Sequence, residues 1–233
     1  MRVAENVEML ELAAMGTAIY LTLAWDKENL VLFDTGLPGQ AGDIVKGIAA
    51  AGFTAKGITH IILTHQDIDH VGCALDLLKL APGAKVLAHA DEAPYIDGRK
   101  TPVKLAAMLA NYESLPVDAK AWCDKMRAGF ANSKIHIDQT LADGEIINIC
   151  GGFEVIHTPG HTPGHICLLL KESGILVGGD AVNIANGQLT GPNPQLAFDA
   201  GLAARSFDKI EKLGIRAVIS YHCGYLQIKG QVG

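Results

Sequence analysis

An α/β fold is predicted by three observations. Short β-branched apolar runs alternate with stretches of helical spacing in both halves of the chain, several of those runs end in a polar or glycine-rich turn, and 49% of the 233 residues are hydrophobic. Alternation of the two signals is the mark of layered helices and sheets. Residues 18–24 and 30–34 read as a strand pair joined by the polar turn 26–29. Residues 40–51 have helical spacing, with Ile44, Val45 and Ile48 on one face and Gly52 as the stop. Residues 58–64 form an apolar run suited to a strand covered on both faces, 71–80 a helix ended by Pro82-Gly83, and 85–88 a further strand.

The character changes between about 91 and 131, where Pro94, Pro102 and Pro116 punctuate helical stretches and no strand-like run occurs. This reads as a helical insertion within one unit spanning 1–233. Strands resume at 134–137, 145–149, 153–156, 166–170 and 175–177. Residues 195–213 form the longest helix candidate and 216–220 a last strand.

Composition excludes several functions. A formal charge of −6 argues against a nucleic-acid binder, which needs a basic face. No apolar run approaches the ~18 residues of a membrane span. The opening carries Glu5 and Glu8 before any apolar stretch, unlike a signal peptide. Five cysteines, odd in number and without a C-x-x-C pair, suit reduced thiols in a cytoplasm. No phosphate-binding glycine loop opens a helix, so nucleotide cofactors have no support.

The nine histidines are the informative enrichment. Thr64-His65-Gln66-Asp67-Ile68-Asp69-His70 places four potential ligands in six residues where a strand passes into a helix, the edge at which α/β folds gather ligands. A polar turn with Asp69 as helix N-cap is the plain alternative. Downstream, His161 lies in His157-Thr-Pro-Gly-His161-Thr-Pro-Gly-His165, Asp180 follows Gly178-Gly179 at a strand end, and His222 follows the last strand. Singly, each reads equally well as a cap or a packed histidine; together they point to one metal site.

This ordered set, from the Asp34-Thr35-Gly36 turn to His222, resembles the metallo-β-lactamase-fold hydrolases. The resemblance implies a four-layer αββα sandwich of two mixed β-sheets. It implies that His65, Asp67 and His161 hold one metal, that Asp69, His70 and His222 serve a second, and that Asp180 bridges both. Asp34 is expected to orient the ligand histidines, His165 to support them or pack in a strand, and Cys223 to be structural. Asp67 stands where the family usually has histidine. Three carboxylates against two divalent ions leave a formal charge of +1, which acidifies bound water less than the usual +2. Zinc is the first expectation, with manganese or iron as alternatives.

The function expected from the resemblance is a binuclear metal-dependent hydrolase, lactonase- or thioesterase-like. It would cleave an ester, lactone or thioester with a metal-bridging hydroxide, Asp69 handling the proton. Tyr221, beside His222, is the candidate catalytic donor to a substrate oxygen, with a buried tyrosine bonded to a local acceptor as the alternative that tyrosines more often take. The apolar insertion, with Tyr95, Met108, Tyr112, Trp122, Met126 and Phe130, either lines an acyl pocket or pins the helices to the sandwich. Partners are expected to be a small, acylated molecule and a second copy of the chain, with no nucleic acid or membrane. A di-iron redox enzyme of flavodiiron type, a metal-dependent nuclease and a metal-holding scaffold without turnover are the rivals. Asp-Thr-Gly also marks aspartic proteases, but those need two such carboxylates in an all-β frame. Asp67→His is expected to raise zinc affinity and to lower the pH midpoint of activity, measured by metal titration and a pH–rate profile.

Overall fold

The alternation in the first half of the chain resolves into a seven-stranded sheet. The computed structural model describes residues 1–14 and 16–228. Strands β1 (Arg2–Ala4), β2 (Val7–Ala14), β3 (Thr17–Trp25) and β4 (Leu30–Phe33) form an antiparallel meander. Helix α1 (Ala41–Ala50) then crosses over to β5 (His60–Leu63), and α2 (Ile68–Val71) with α3 (Ala74–Leu80) lead to β6 (Lys85–His89). Helices α4 (Ala93–Ile96), α5 (Val103–Ala110) and α6 (Val117–Asn132) intervene before β7 (Gln139–Leu141). From β4 to β7 the strands pair in parallel.

The second sheet contains β8 (Ile146–Ile147), β9 (Phe153–His157), β10 (Ile166–Leu170) and β11 (Ile175–Val177). After a ribbon of β12 (Asn183–Ala185) and β13 (Gln188–Thr190), α7 (Ala200–Glu211) returns the chain to β14 (Ala217–Ser220) and β15 (Gly224–Gln227). The order is β15-β14-β11-β10-β9-β8, antiparallel except where β14 joins β11.

Side-chain alternation along these strands builds the four layers. Val31 and Phe33 face the second sheet, where they meet Phe153, Val155 and Leu168 in an inner core. The rings of Phe33 and Phe153 meet edge to face at 5.2 Å. Leu32, between them, points the other way and packs with Ile44 and Ile48 of α1 and Leu77 of α3. The outer face of the second sheet, with Cys167, Leu176 and Val218, is covered by Ile210 of α7. The αββα sandwich is therefore present, with helices outside two facing sheets. All five cysteines are free. No helix among the described residues is long and apolar enough to cross a membrane.

Several predicted elements are corrected. Residues 134–137 are not a strand: the Ile135 N–H bonds the Ile96 carbonyl, and Ile135 and Ile137 pack in the helix-side core, so pairing with β6 starts only at Gln139. The helix expected at 195–213 begins at Ala200, because the Asp199 carboxylate caps it by accepting from Leu202 N–H at 2.9 Å. The longest helix is α6, with 16 residues. The expected helix 71–80 starts earlier and divides around Gly72, where a Cβ would lie 2.4 Å from Pro38. Strand β2 is an addition to the predicted elements: its Leu and Ala residues favour strands weakly, and only Val7 and Met9 reach the inner core, Glu11 and Ala13 on the same face being exposed while Leu10, Leu12 and Ala14 pack on the helix side. The β12–β13 turn, Asn186-Gly187, has both residues at positive φ, as a tight hairpin requires.

The turn at 26–29 also links the two sheets. Asp26 accepts from Glu28 N–H and Asn29 N–H, and from Cys150 N–H beyond β8 at 2.7 Å. Burial pushes this carboxyl up, but those donors outweigh it and hold it at about 2. The folded value lies below the ordinary carboxylate value of about 4. The stabilisation is therefore full above that value and is lost as the pH falls through the folded one. Asp26→Ala should cost about 2 kcal/mol at neutral pH. The gap between variant and parent should close toward pH 2, as read by urea denaturation across pH.

Candidate metal centre

Every expected ligand follows the C-terminal end of a strand. Asp34 leaves β4, 65–70 leave β5, His161 lies in the loop after β9, Asp180 follows β11, and His222 follows β14. The parallel pairings β4–β5 and β11–β14 bring these ends to one edge of the sandwich. Two clusters result. His65, Asp67, His161 and Asp180 each offer an atom within 4.8 Å of the others, and so do Asp69, His70 and His222. Asp180 spans them: one carboxylate oxygen lies 3.2 Å from His161 Nε2, the other 3.3 Å from both His70 Nε2 and His222 Nε2. Asp69 stands 3.5 Å from His222 Nε2 and 3.8 Å from His70 Nε2. The plain alternative for this loop does not hold, since Asp69 lies inside α2 and Asp67, at the cap position, makes no capping bond.

A buried hydrogen-bond relay fixes how the imidazoles point. Asp34, at φ 60°, accepts from the Thr64 N–H and hydroxyl at 2.8 Å each and from His70 Nδ1 at 2.8 Å. The Thr64 hydroxyl, having donated to Asp34, accepts from His65 Nδ1 at 3.0 Å. Both rings therefore carry their proton on Nδ1 and turn the Nε2 lone pair into the cleft, the arrangement that ligand histidines need. His165 acts one step further out. Its Nδ1 pairs with the Thr158 hydroxyl at 2.8 Å, and its Nε2 accepts the Asp180 N–H at 3.0 Å, fixing the turn that presents the Asp180 carboxylate. A Cβ on Gly179 would lie 2.6 Å from that nitrogen, and its φ of 50° also favours glycine.

The electrostatics are those of a site that wants a cation. Burial depresses His65 to about 4, helped by the neighbouring His70. Burial raises Asp67, yet the neighbouring His161, His65 and Lys104 hold it well below the carboxylate range. For His70 the burial penalty is outweighed by the charges of Asp34, Asp180 and Asp69, which push it well up. Asp69 is raised by burial and by the charges of Asp180 and Asp67, against His70 and His222. His65 Nε2, His70 Nε2 and Asp180 Oδ1 are buried without a hydrogen-bond partner. Three orphaned polar atoms facing one cleft fit a divalent ion, because no other group among the described residues satisfies them.

Comparison with known proteins agrees. The family model of the metallo-beta-lactamase superfamily matches residues 15–222. The chain belongs to that superfamily. It is 30% identical over 221 residues to the probable metallo-hydrolase YflN of Bacillus subtilis, covering 87% of this chain and 78% of that protein. It is also 30% identical to the hydroxyacylglutathione hydrolase GloC of Haemophilus influenzae, over 76% of this chain and 72% of that one. Among solved structures, a metallo-beta-lactamase family protein from Thermus thermophilus superposes with a TM-score of 0.74 at 24% identity, covering 97% of this chain and 76% of that chain.

Within this superfamily fold, Tyr221 takes the local acceptor rather than the catalytic role. Its ring stacks on His70 at 3.8 Å and its hydroxyl donates to the Asp69 main-chain carbonyl, so it is buried and committed rather than open to a substrate. It holds the His70 ring and the Asp69 backbone in place. Cys223 turns its thiol toward Asn183 at 3.6 Å, away from the ligands. His89 and His157 also approach Asp91, but their rings stack within 7° and His89 Nδ1 already accepts the Asp91 N–H, so their lone pairs do not converge.

Three supporting residues were invisible to the sequence reading. The buried Glu92 carboxylate accepts from Gln66 N–H and its side-chain amide at 2.8 Å each and from Gly164 N–H at 2.6 Å, tying the two histidine loops together. The Gln66 amide oxygen accepts Val103 N–H at 2.7 Å and anchors the start of α5. From the first turn of α5, Lys104 reaches Asp67 and lies 2.8 Å from His161 Nε2. A single glutamate and a single lysine in an insertion carry no motif. Asp34→Ala should release the His70 ring and the Thr64 hydroxyl. Metal affinity should fall roughly ten- to a hundredfold, measured by chelator competition.

Proposed function

We propose that the chain is a metal-dependent hydrolase that cleaves a carboxylic ester, lactone or thioester of a small acylated molecule. The observation that carries this reading is the Asp180 carboxylate within 3.3 Å of histidines from both clusters, at the edge of the sandwich where the strand ends meet. His65, Asp67 and His161 would hold one ion, Asp69, His70 and His222 a second, and Asp180 both. Divalent ions there, zinc first with manganese or iron as alternatives, supply charge withdrawal from a carbonyl oxygen and a water acidified for attack.

The chain's own residues supply orientation and proton handling. Asp69 faces the cleft at the rim, with 22% of its side chain exposed. Burial and the charges of Asp180 and Asp67 raise its carboxyl, which suits Oδ2 to accept a proton and pass it to the leaving group. Its backbone is held by Tyr221, so the carboxylate keeps its direction.

The acyl preference rests on the insertion. Phe130 is buried in the core, and Met108 and Tyr112 pack against it, so these residues pin the helices. Trp122 remains 38% exposed and, with Leu37, Pro38, Ile68 and Met126, lines a cavity of about 330 Å³. Ile68 belongs both to the wall of this cavity and to the segment that carries Asp67 and Asp69, which supports assigning the cavity to the acyl group. The similar Haemophilus protein, named a hydroxyacylglutathione hydrolase, supports an acyl substrate. Arg99 is paired with Asp97 and Lys100 lies over Tyr95, which favours a small molecule over a nucleic acid.

A panel of lactones, thioesters and aryl esters should show turnover with zinc, manganese or iron. The activity should vanish on chelation and return on metal addition. No turnover of any member with any of the three metals would overturn the reading.

A further inference from the structure

Lys104 is the one cationic side chain that touches a ligand cluster among the described residues. Its placement is unexpected on helix grounds, because an ammonium in the first turn of α5 faces the positive end of the helix dipole. The Asp67 carboxylate offsets that cost. The lysine's origin is also fixed, since Gln66 holds the N–H of the preceding residue, Val103, at 2.7 Å. The ammonium is thus delivered to the ligands by the network that positions them.

Its second contact decides what it does. His161 Nε2 lies 2.8 Å from the Lys104 ammonium and 3.0 Å from Asp67 Oδ2, so the ammonium stands in the approach to the one nitrogen that His161 turns to the cluster. That nitrogen has a single in-plane lone pair, and a metal bound to it must displace the ammonium. Asp67 is different, because a carboxylate has about four acceptor sites and can keep the lysine while ligating. The other cluster is free of this conflict: Asp69, His70 and His222 meet only one another, Asp34 and Asp180 among the ion pairs of the described residues.

We infer that Lys104 is a positioning residue that competes with metal for His161, so that the His65–Asp67–His161 cluster takes its ion more weakly than the Asp69–His70–His222 cluster. The inference rests on the two-ion reading above and adds an order to it. When the first cluster fills, the lysine gives up His161, keeps Asp67, and can extend into an adjoining cleft of about 380 Å³ walled by Ala107, Leu196 and Phe198.

The test is a zinc titration of metal-free protein against a chelating dye, with stoichiometry from native mass spectrometry. The parent should show two classes of site. Lys104→Met should tighten the weaker class by roughly ten- to a hundredfold. The tighter class should stay within about twofold. Lys104→Gln should reproduce the gain, and Lys104→Arg, which keeps the charge, should not. In a His161→Ala background, Lys104→Met should change neither class. An unchanged or weakened class in both neutral variants, or equal tightening of both classes, overturns the inference while leaving the two-ion reading intact. A parent that binds fewer than two ions at saturating zinc, with both neutral variants equally short, overturns both.

Discussion

The candidate centre depends on one buried carboxylate that belongs to neither ligand cluster. Asp34 sits in a left-handed backbone conformation that side chains seldom adopt, and it gathers three donors from β5 and α2. The bonds it accepts determine which nitrogen of His65 and His70 carries the proton, and therefore which nitrogen is available. Without that choice the two rings would be buried imidazoles of arbitrary orientation, and the clusters would lose their common focus. The sandwich serves this end: parallel strands β4 and β5 put the Asp34 turn and the His65 loop side by side at one edge.

Around this axis the charges are distributed so that no state without a cation is comfortable. Asp67, Asp69 and Asp180 converge within a few ångströms, and two Nε2 atoms and one carboxylate oxygen are left without partners. The protein compensates partly with its own histidines and partly with Lys104.

Much of this was legible in the residues. The ligands announce themselves because coordination needs particular atoms at strand ends, and those types are rare in apolar surroundings. The inner strands announced themselves for a related reason: 166–170 and 175–177 are uninterrupted runs with one available use. What escaped was whatever depends on context. Strand β2 is masked by residues of weak strand preference, and 134–137 has strand composition yet spends the Ile135 N–H on α4. For Tyr221 the sequence leaves two uses open, a substrate or a local acceptor, and the fold supplies the acceptor in the Asp69 carbonyl. Glu92, Gln66 and Lys104 act through partners 26 to 72 positions away, and no local pattern encodes such pairings.

The Gln66 side chain is bound at both ends, its amide nitrogen to Glu92 and its oxygen to the start of α5. The insertion is therefore not an interchangeable lid. Grafting a different helical segment between β6 and β7 would alter the tautness of the loop bearing His65 as well as the shape of the chamber above it. Swapping specificity by segment exchange would thus carry a toll in ion retention unless the incoming helix also offers an amide hydrogen at the place of Val103.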